Sequence, residues 1–202
     1  MKIFITAIGT DCGKTLVSAI FCQYLQADYW KPIQTGQVSD SNELKNIVSF
    51  PVRIHPETYL FKNPVSPHFA AFQENRSILV SDFQVPETES NLIIEGAGGL
   101  LVPLNEDGDY LLDFICKENI EIVLVIRLYL GCINHALLSI NELRRRNQQI
   151  RGLVFNGNDT FGAIDIITRI TQLKPLLIIK EEPLISTETI LFYSLKLKLN
   201  EQ

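Results

Sequence analysis

Three short clusters in this chain carry side chains able to handle phosphate, a divalent cation and an anionic intermediate. The first is Ala7-Ile8-Gly9-Thr10-Asp11-Cys12-Gly13-Lys14-Thr15. Gly13 lets the main chain approach phosphate oxygens, and the amides that open a following helix point donors at them. Lys14 adds positive charge and Thr15 offers a hydroxyl to Mg²⁺. The usual G-x-x-x-x-G-K-[ST] spacing wants glycine at Ile8, whereas this chain has Gly9 one residue later. The plain alternative is a tight strand-to-helix turn in which Gly-Lys-Thr is accidental. Cys12 is either a small loop residue or a thiol whose pKa a helix N-terminus lowers. Asp11, beside phosphate, needs Mg²⁺ or a cationic partner.

The second cluster is Lys31-Pro32-Ile33-Gln34-Thr35-Gly36, followed by Asp40. Lys31 either reaches an anionic ligand or is a solvated charge at a strand end. Asp40 either caps the helix it opens or coordinates Mg²⁺. The third cluster, Leu92 to Leu100, is an apolar run closed by Glu95 and the turn Gly96-Ala97-Gly98-Gly99. A carboxylate closing a buried strand must be solvated, paired or metal-bound, and the glycines beside it allow close ligand approach. Thr15, Asp40 and Glu95, with ATP phosphates and waters, would make an oxygen-ligand Mg²⁺ site. Two further strand ends carry Gly131-Cys132-Ile133-Asn134-His135, where Asn134 reads as an N-cap, and Asn156-Gly157, where Asn156 is a turn residue or a partner for a base edge.

The elements that must position these clusters are strands read at Lys2–Ala7, Asp28–Lys31, Asn91–Glu95, Glu121–Ile126, Arg151–Phe155 and Pro175–Ile179. Their nearly continuous Ile, Leu and Val content suits a parallel sheet covered on both faces. Helical spacing lies between them, at 14–26, 40–48, 67–75, 111–118, 135–146 and 163–173, with a last helix at 187–198 whose end should fray. The expected fold is therefore α/β, a mostly parallel sheet with helices on both faces. Residues 49–89, interrupted by five prolines, read as an excursion over the strand ends, and Gly108 as a surface turn of positive φ.

With 202 residues, the chain fits a single domain spanning 1–202. Lys plus Arg number 18 against 23 Asp plus Glu, a net charge of −5, which gives no general attraction to nucleic acid or anionic lipid. No apolar run approaches the roughly 20 residues of a membrane span, and the first residues lack the layout of a signal peptide. Four cysteines without a C-x-x-C pair fit reduced thiols in a cytoplasm.

Together these motifs, with Pro64-Val65-Ser66-Pro67-His68, resemble those of the dethiobiotin synthetases, ATP-dependent carboxylases that close the ureido ring in biotin synthesis. The resemblance covers most of the chain in the family's order. It implies a homodimeric P-loop fold that converts 7,8-diaminononanoate, CO₂ and ATP to dethiobiotin, ADP and phosphate with Mg²⁺. By resemblance, Lys31 is the catalytic lysine, and it and Lys14 contact the phosphates and carbamate. Asp11, Cys12, Gly13 and Leu16 complete the phosphate loop, Gly96, Ala97 and Gly98 continue the nucleotide site from Glu95, and Asn156 with Gly157 meets adenine. Thr15, Asp40 and Glu95 organise Mg²⁺, Thr35 stands near the substrate amine, and Asn134 reaches the substrate carboxylate across the dimer. Three departures stand out: Ala7 replaces the family's first loop glycine, Asp40 aligns only with a gap after Gly36, and Lys180 replaces a proline near adenine. The rivals are another P-loop amidating or cyclising ligase and, from a different class, a partitioning-type ATPase switch. The switch commonly carries a second lysine early in the loop, where this chain has Ile8 to Cys12.

Overall fold

The apolar run Lys2–Ala7 forms strand β1 at the centre of a seven-stranded sheet in the computed structural model, which describes residues 1–201. From β1 the chain enters α1 (Lys14–Leu25) and returns as β2 (Asp28–Trp30). It continues through β3 (Ile33–Thr35), α2 (Asp40–Ile47), β4 (Ile54–His55), β5 (Tyr59–Phe61) and α3 (Pro67–Gln73). Then come β6 (Leu92–Glu95), α4 (Leu111–Lys117), β7 (Glu121–Arg127) and α5 (Cys132–Arg145). The last elements are β8 (Ile150–Asn156), α6 (Ala163–Thr171), β9 (Pro175–Ile179) and α7 (Thr187–Glu201).

The main sheet runs β4-β2-β6-β1-β7-β8-β9, with every neighbouring pair parallel. A parallel sheet needs crossovers that cover both its faces, and alternate residues of each strand sort to the two sides. Ile3, Ile5, Val123 and Val125 pack with Val17 and Ile20 of α1, Leu44 of α2 and Tyr193 of α7. Phe4, Trp30, Leu92 and Ile94 pack on the other face with Leu112 and Phe114 of α4. Leu124, Ile126 and Phe155 join Ala136 and Ile140 of α5 and Ile167 of α6 on that same face, in a third cluster. The fold expectation is met.

Several local expectations are corrected. The excursion at 49–89 is partly sheet: β4 extends the main sheet beside β2, while β5 pairs with β3 in a separate two-stranded sheet. Asp40 is not the cap of α2; Ser39 is, accepting from the Asn42 amide, and Asp40 takes the first helical position. Helix α5 begins at Cys132 with Gly131 as its cap at φ 108°, so Asn134 lies inside the first turn. Helix α7 continues to Glu201, where Arg151 Nε meets Glu201 Oε1 at 2.8 Å and Asn200 donates to the Leu176 carbonyl. Gly108 takes φ 83° as expected. Among the described residues no helix is long and apolar enough to cross a membrane, and the four cysteines are free.

Candidate active site

The carboxyl ends of β1, β2 and β6 lie side by side, because Ile5 pairs with Glu95 and Trp30 with Ile94. Continuing that register sets Lys31 beside Glu95. Lys31 Nζ stands 2.7 Å from Glu95 Oε1 and 2.5 Å from Asp40 Oδ2. Thr15 Oγ1 donates within 3.1 Å of both Asp40 Oδ1 and Glu95 Oε1. One hydroxyl, two carboxylates and one ammonium, contributed by α1, α2, β6 and the end of β2, thus converge. Asp40 suits its place, since a carboxylate in the first helical turn meets the positive end of the helix dipole.

The phosphate loop crosses the top of β1. Gly13 caps α1 at φ 89°, and the first helical bond runs from Val17 N to Gly13 O, so the amides of Lys14, Thr15 and Leu16 precede any intrahelical partner. Asn156 Nδ2 holds the loop from beneath by donating to the Cys12 carbonyl at 2.9 Å. A Cβ at Gly13 would lie 2.4 Å from that same nitrogen. Lys14 is buried and donates to the Gly9 carbonyl at 3.4 Å.

A cavity of about 430 Å³ opens over this convergence. Of the residues singled out from the sequence, Asp11, Lys14, Thr15, Lys31, Thr35, Asp40, Glu95, Ala97 and Gly98 line it. Gly96 lies at an apolar recess, where a Cβ would meet the Phe4 ring at 3.0 Å. Leu16 packs against the core on the α1 side. Gly157 extends the β8 edge, donating to the Ile179 carbonyl. Asn134 is exposed on α5 and is not brought to the cavity within one chain.

Residues 1–189 match a family described as an AAA domain. Over 199 residues the chain is 50% identical to the ATP-dependent dethiobiotin synthetase BioD of Cytophaga hutchinsonii, covering 97% of this chain and 96% of that relative. It is 44% identical over 188 residues to the corresponding protein of Christiangramia forsetii, covering 89% and 87%. The chain belongs to the ATP-dependent dethiobiotin synthetase family. Among solved structures, the septum site-determining protein MinD of Pyrococcus horikoshii superposes with a TM-score of 0.60 over 98% of this chain and 90% of its own, at 15% identity. A putative plasmid partition protein of Borrelia burgdorferi gives 0.60 over 100% and 98%, at 14% identity. Those two likenesses concern the fold.

The electrostatics of this cluster follow from burial and from the charges it brings together. Burial would lower the Lys31 pKa, but the charges of Glu95 and Asp40 outweigh it and hold Lys31 above the ordinary lysine range. Burial takes the Lys14 pKa below that range, against the pull of Glu95, with the like charge of Lys31 adding to the fall. For Cys12, burial pushes the thiol up, which favours the small loop residue over a helix-activated thiol. Among the described residues no group of three or more His, Cys, Asp or Glu side chains converges as a metal cage. Two carboxylates and a hydroxyl fit Mg²⁺ all the same, because that cation usually keeps waters and phosphate oxygens in its shell.

Two site residues escaped the sequence reading. The Tyr29 hydroxyl, fully buried, donates to Glu95 Oε2 at 2.9 Å. Burial and then the Glu95 charge push its pKa well above the tyrosine range, so it remains a donor. Gln34 braces the loop before α2: Nε2 donates to the carbonyls of Thr35 and Val38 at 3.0 Å, and Oε1 accepts from the Asp40 amide at 3.2 Å. The available signal was period-two spacing, which sets Tyr29 on the same strand face as Lys31.

Proposed function

We propose that the chain closes the ureido ring of dethiobiotin from 7,8-diaminononanoate, CO₂ and ATP, with Mg²⁺, through a carbamate and a carbamic-phosphoric anhydride. The observation that carries this reading is the sharing of one cavity by the phosphate loop and Lys31. A phosphoryl donor and a small anionic acceptor can meet there.

The first substrate amine attacks CO₂, forming an N–C bond and releasing a proton. A carbamate oxygen then attacks the γ-phosphorus, and the bond to the ADP oxygen breaks. The second amine attacks the carbamoyl carbon, loses a proton and closes the ring, while phosphate departs with the former carbamate oxygen. Negative charge gathers on the carbamate and the transferring phosphoryl group, so fixed cations and amides are the effective catalysts. Lys31 serves both anions, Lys14 and the amides from Gly13 to Leu16 serve the phosphates, and no protein nucleophile is needed. Thr15, Asp40 and Glu95 would hold Mg²⁺, which supplies neutralising charge to the phosphate oxygens when bound.

Thr35 is assigned to the substrate amine, the Gly96–Gly98 turn to the nucleotide, and Asn156 with Gly157 to adenine. A homodimer in the cytoplasm completes the reading: Asn134 then serves the substrate carboxylate of the partner copy. The exposed apolar side chains of Leu101, Leu130 and Leu138, with α5 carrying Asn134, support such a face.

The test is incubation of the purified chain with ATP, Mg²⁺, bicarbonate and 7,8-diaminononanoate, with dethiobiotin detected by mass. Product should form with one phosphate per ring closed. Phosphate release that ignores the diamine points instead to an ATPase switch.

A further inference from the structure

The two oxygens of Glu95 serve different neighbours. Oε1 takes Lys31 at 2.7 Å and Thr15 at 3.1 Å, on the cavity side, while Oε2 takes, among the described residues, only the Tyr29 hydroxyl, at 2.9 Å. Glu95 is 1% exposed and Tyr29 0%, so the contact is shielded from bulk water. Sheet register builds the contact. Tyr29 pairs with Ile93 on the adjacent parallel strand, and Glu95 lies two residues further on the same face, about 7 Å along the strand. A tyrosine side chain spans that offset. Its ring is fixed in the α1-side core with Cys22, Ala27 and Ile93, which leaves the hydroxyl little freedom.

We infer that Tyr29 is a positioning residue whose hydroxyl fixes the rotation of the Glu95 carboxylate, so that Oε1 alone faces Lys31, Thr15 and the Mg²⁺ that accompanies the nucleotide. The inference rests on the assignment of Glu95 to Mg²⁺ in the proposed function. A buried carboxylate oxygen stripped of its donor is costly, and the group turns to share its remaining donors. Partners that orient a ligand in this way set metal affinity without touching the metal.

The experiment is calorimetry of ADP binding, first in EDTA and then across a Mg²⁺ titration, for the wild-type chain and Tyr29→Phe. Phenylalanine keeps the ring in the core and removes only the hydroxyl. Metal-free ADP affinity should be unchanged, while the Mg²⁺ concentration giving half of the metal-dependent tightening rises about tenfold. In a Glu95→Gln background, Tyr29→Phe should add nothing, because both act through one carboxylate. An unmoved Mg²⁺ midpoint, a parallel loss of metal-free ADP affinity, or additive effects in the double variant would each overturn the inference. No diamine is used, so the result is independent of whether dethiobiotin forms. Wild-type ADP binding that ignores Mg²⁺ would contradict the metal assignment of Glu95, and this inference with it.

Discussion

Lys31 Nζ stands 2.7 Å from Glu95 Oε1 and 2.5 Å from Asp40 Oδ2, so one buried ammonium bridges the two carboxylates that flank Thr15. The same charge that stabilises the folded site is the one assigned to the carbamate and the phosphoryl group. Structure and catalysis therefore compete for one side chain, and its replacement should be visible in both.

Lys31→Gln leaves the buried Glu95 and the half-buried Asp40 without their cation, a change of about 3 kcal/mol when one partner of a buried pair is lost. Melting in EDTA should register that loss, and Mg²⁺ with ADP should offset much of it, since a ligand that binds only the folded state stabilises it. Ring closure should fall by at least about 10², the scale of removing one preorganised charge-stabilising donor. ADP affinity should be largely retained. An unchanged ring-closure rate would remove Lys31 from the chemistry.

Glu95→Gln keeps the shape and still offers Tyr29 an acceptor. It removes the anionic oxygen that faces Thr15, so Mg²⁺-dependent tightening of ADP should weaken about 10- to 100-fold. ADP binding in EDTA should stay close to wild type. Calorimetry at several Mg²⁺ concentrations reads both, and an unaltered metal dependence would exclude Glu95 as a ligand.

How much of this was legible in the sequence depends on how local each signal is. The phosphate loop follows β1 and opens α1 within a few residues, and Glu95 closes its own apolar run, so both stand out unaided. Strands β3, β4 and β5 are two or three residues long and set among prolines, too short for any period to show. Ser39 and Asp40 are adjacent cap-forming residues, and only the backbone decides between them: Ser39 is extended and Asp40 helical. Tyr29 and Gln34 act through contacts 66 and 6 residues away in the chain, to Glu95 and Asp40, which sheet register and loop path create.

Gly13 and Gly108 share a left-handed backbone, at φ 89° and 83°, but not their surroundings. A Cβ at Gly13 meets Asn156 Nδ2 at 2.4 Å, whereas nothing lies within 4 Å of one at Gly108. Gly108→Ala should cost only the backbone strain, about 1 to 2 kcal/mol. Gly13→Ala should cost more in urea denaturation and also abolish tight ADP binding, by pushing Asn156 off the Cys12 carbonyl. Equal effects of the two substitutions would contradict the role given to Asn156.

Acid stability should report on α5. Hydrogen bonds from Arg145 and then Arg146 hold the Glu142 carboxyl down at about 2. An unfolded glutamate titrates near 4.3, so the folded state binds fewer protons in between. The stabilisation is fully present above about pH 4.3 and is lost as pH falls toward about 2. Because the Arg145 side chain lies in solvent, which screens the pair, it amounts to less than about 1 kcal/mol. Urea midpoints of wild type and Glu142→Gln should differ near neutral pH and converge as pH approaches 2. A difference that persists there would contradict the ion-pair origin.

The central claim is that a carbamate oxygen receives the γ-phosphoryl group over the cavity shared by Lys14 and Lys31. It is tested most directly by turning the chain over with ¹⁸O-bicarbonate, ATP, Mg²⁺ and 7,8-diaminononanoate, and weighing both products. The account predicts dethiobiotin together with phosphate carrying one ¹⁸O per ring closed. Unlabelled phosphate, released at the same rate with or without the diamine, would contradict it.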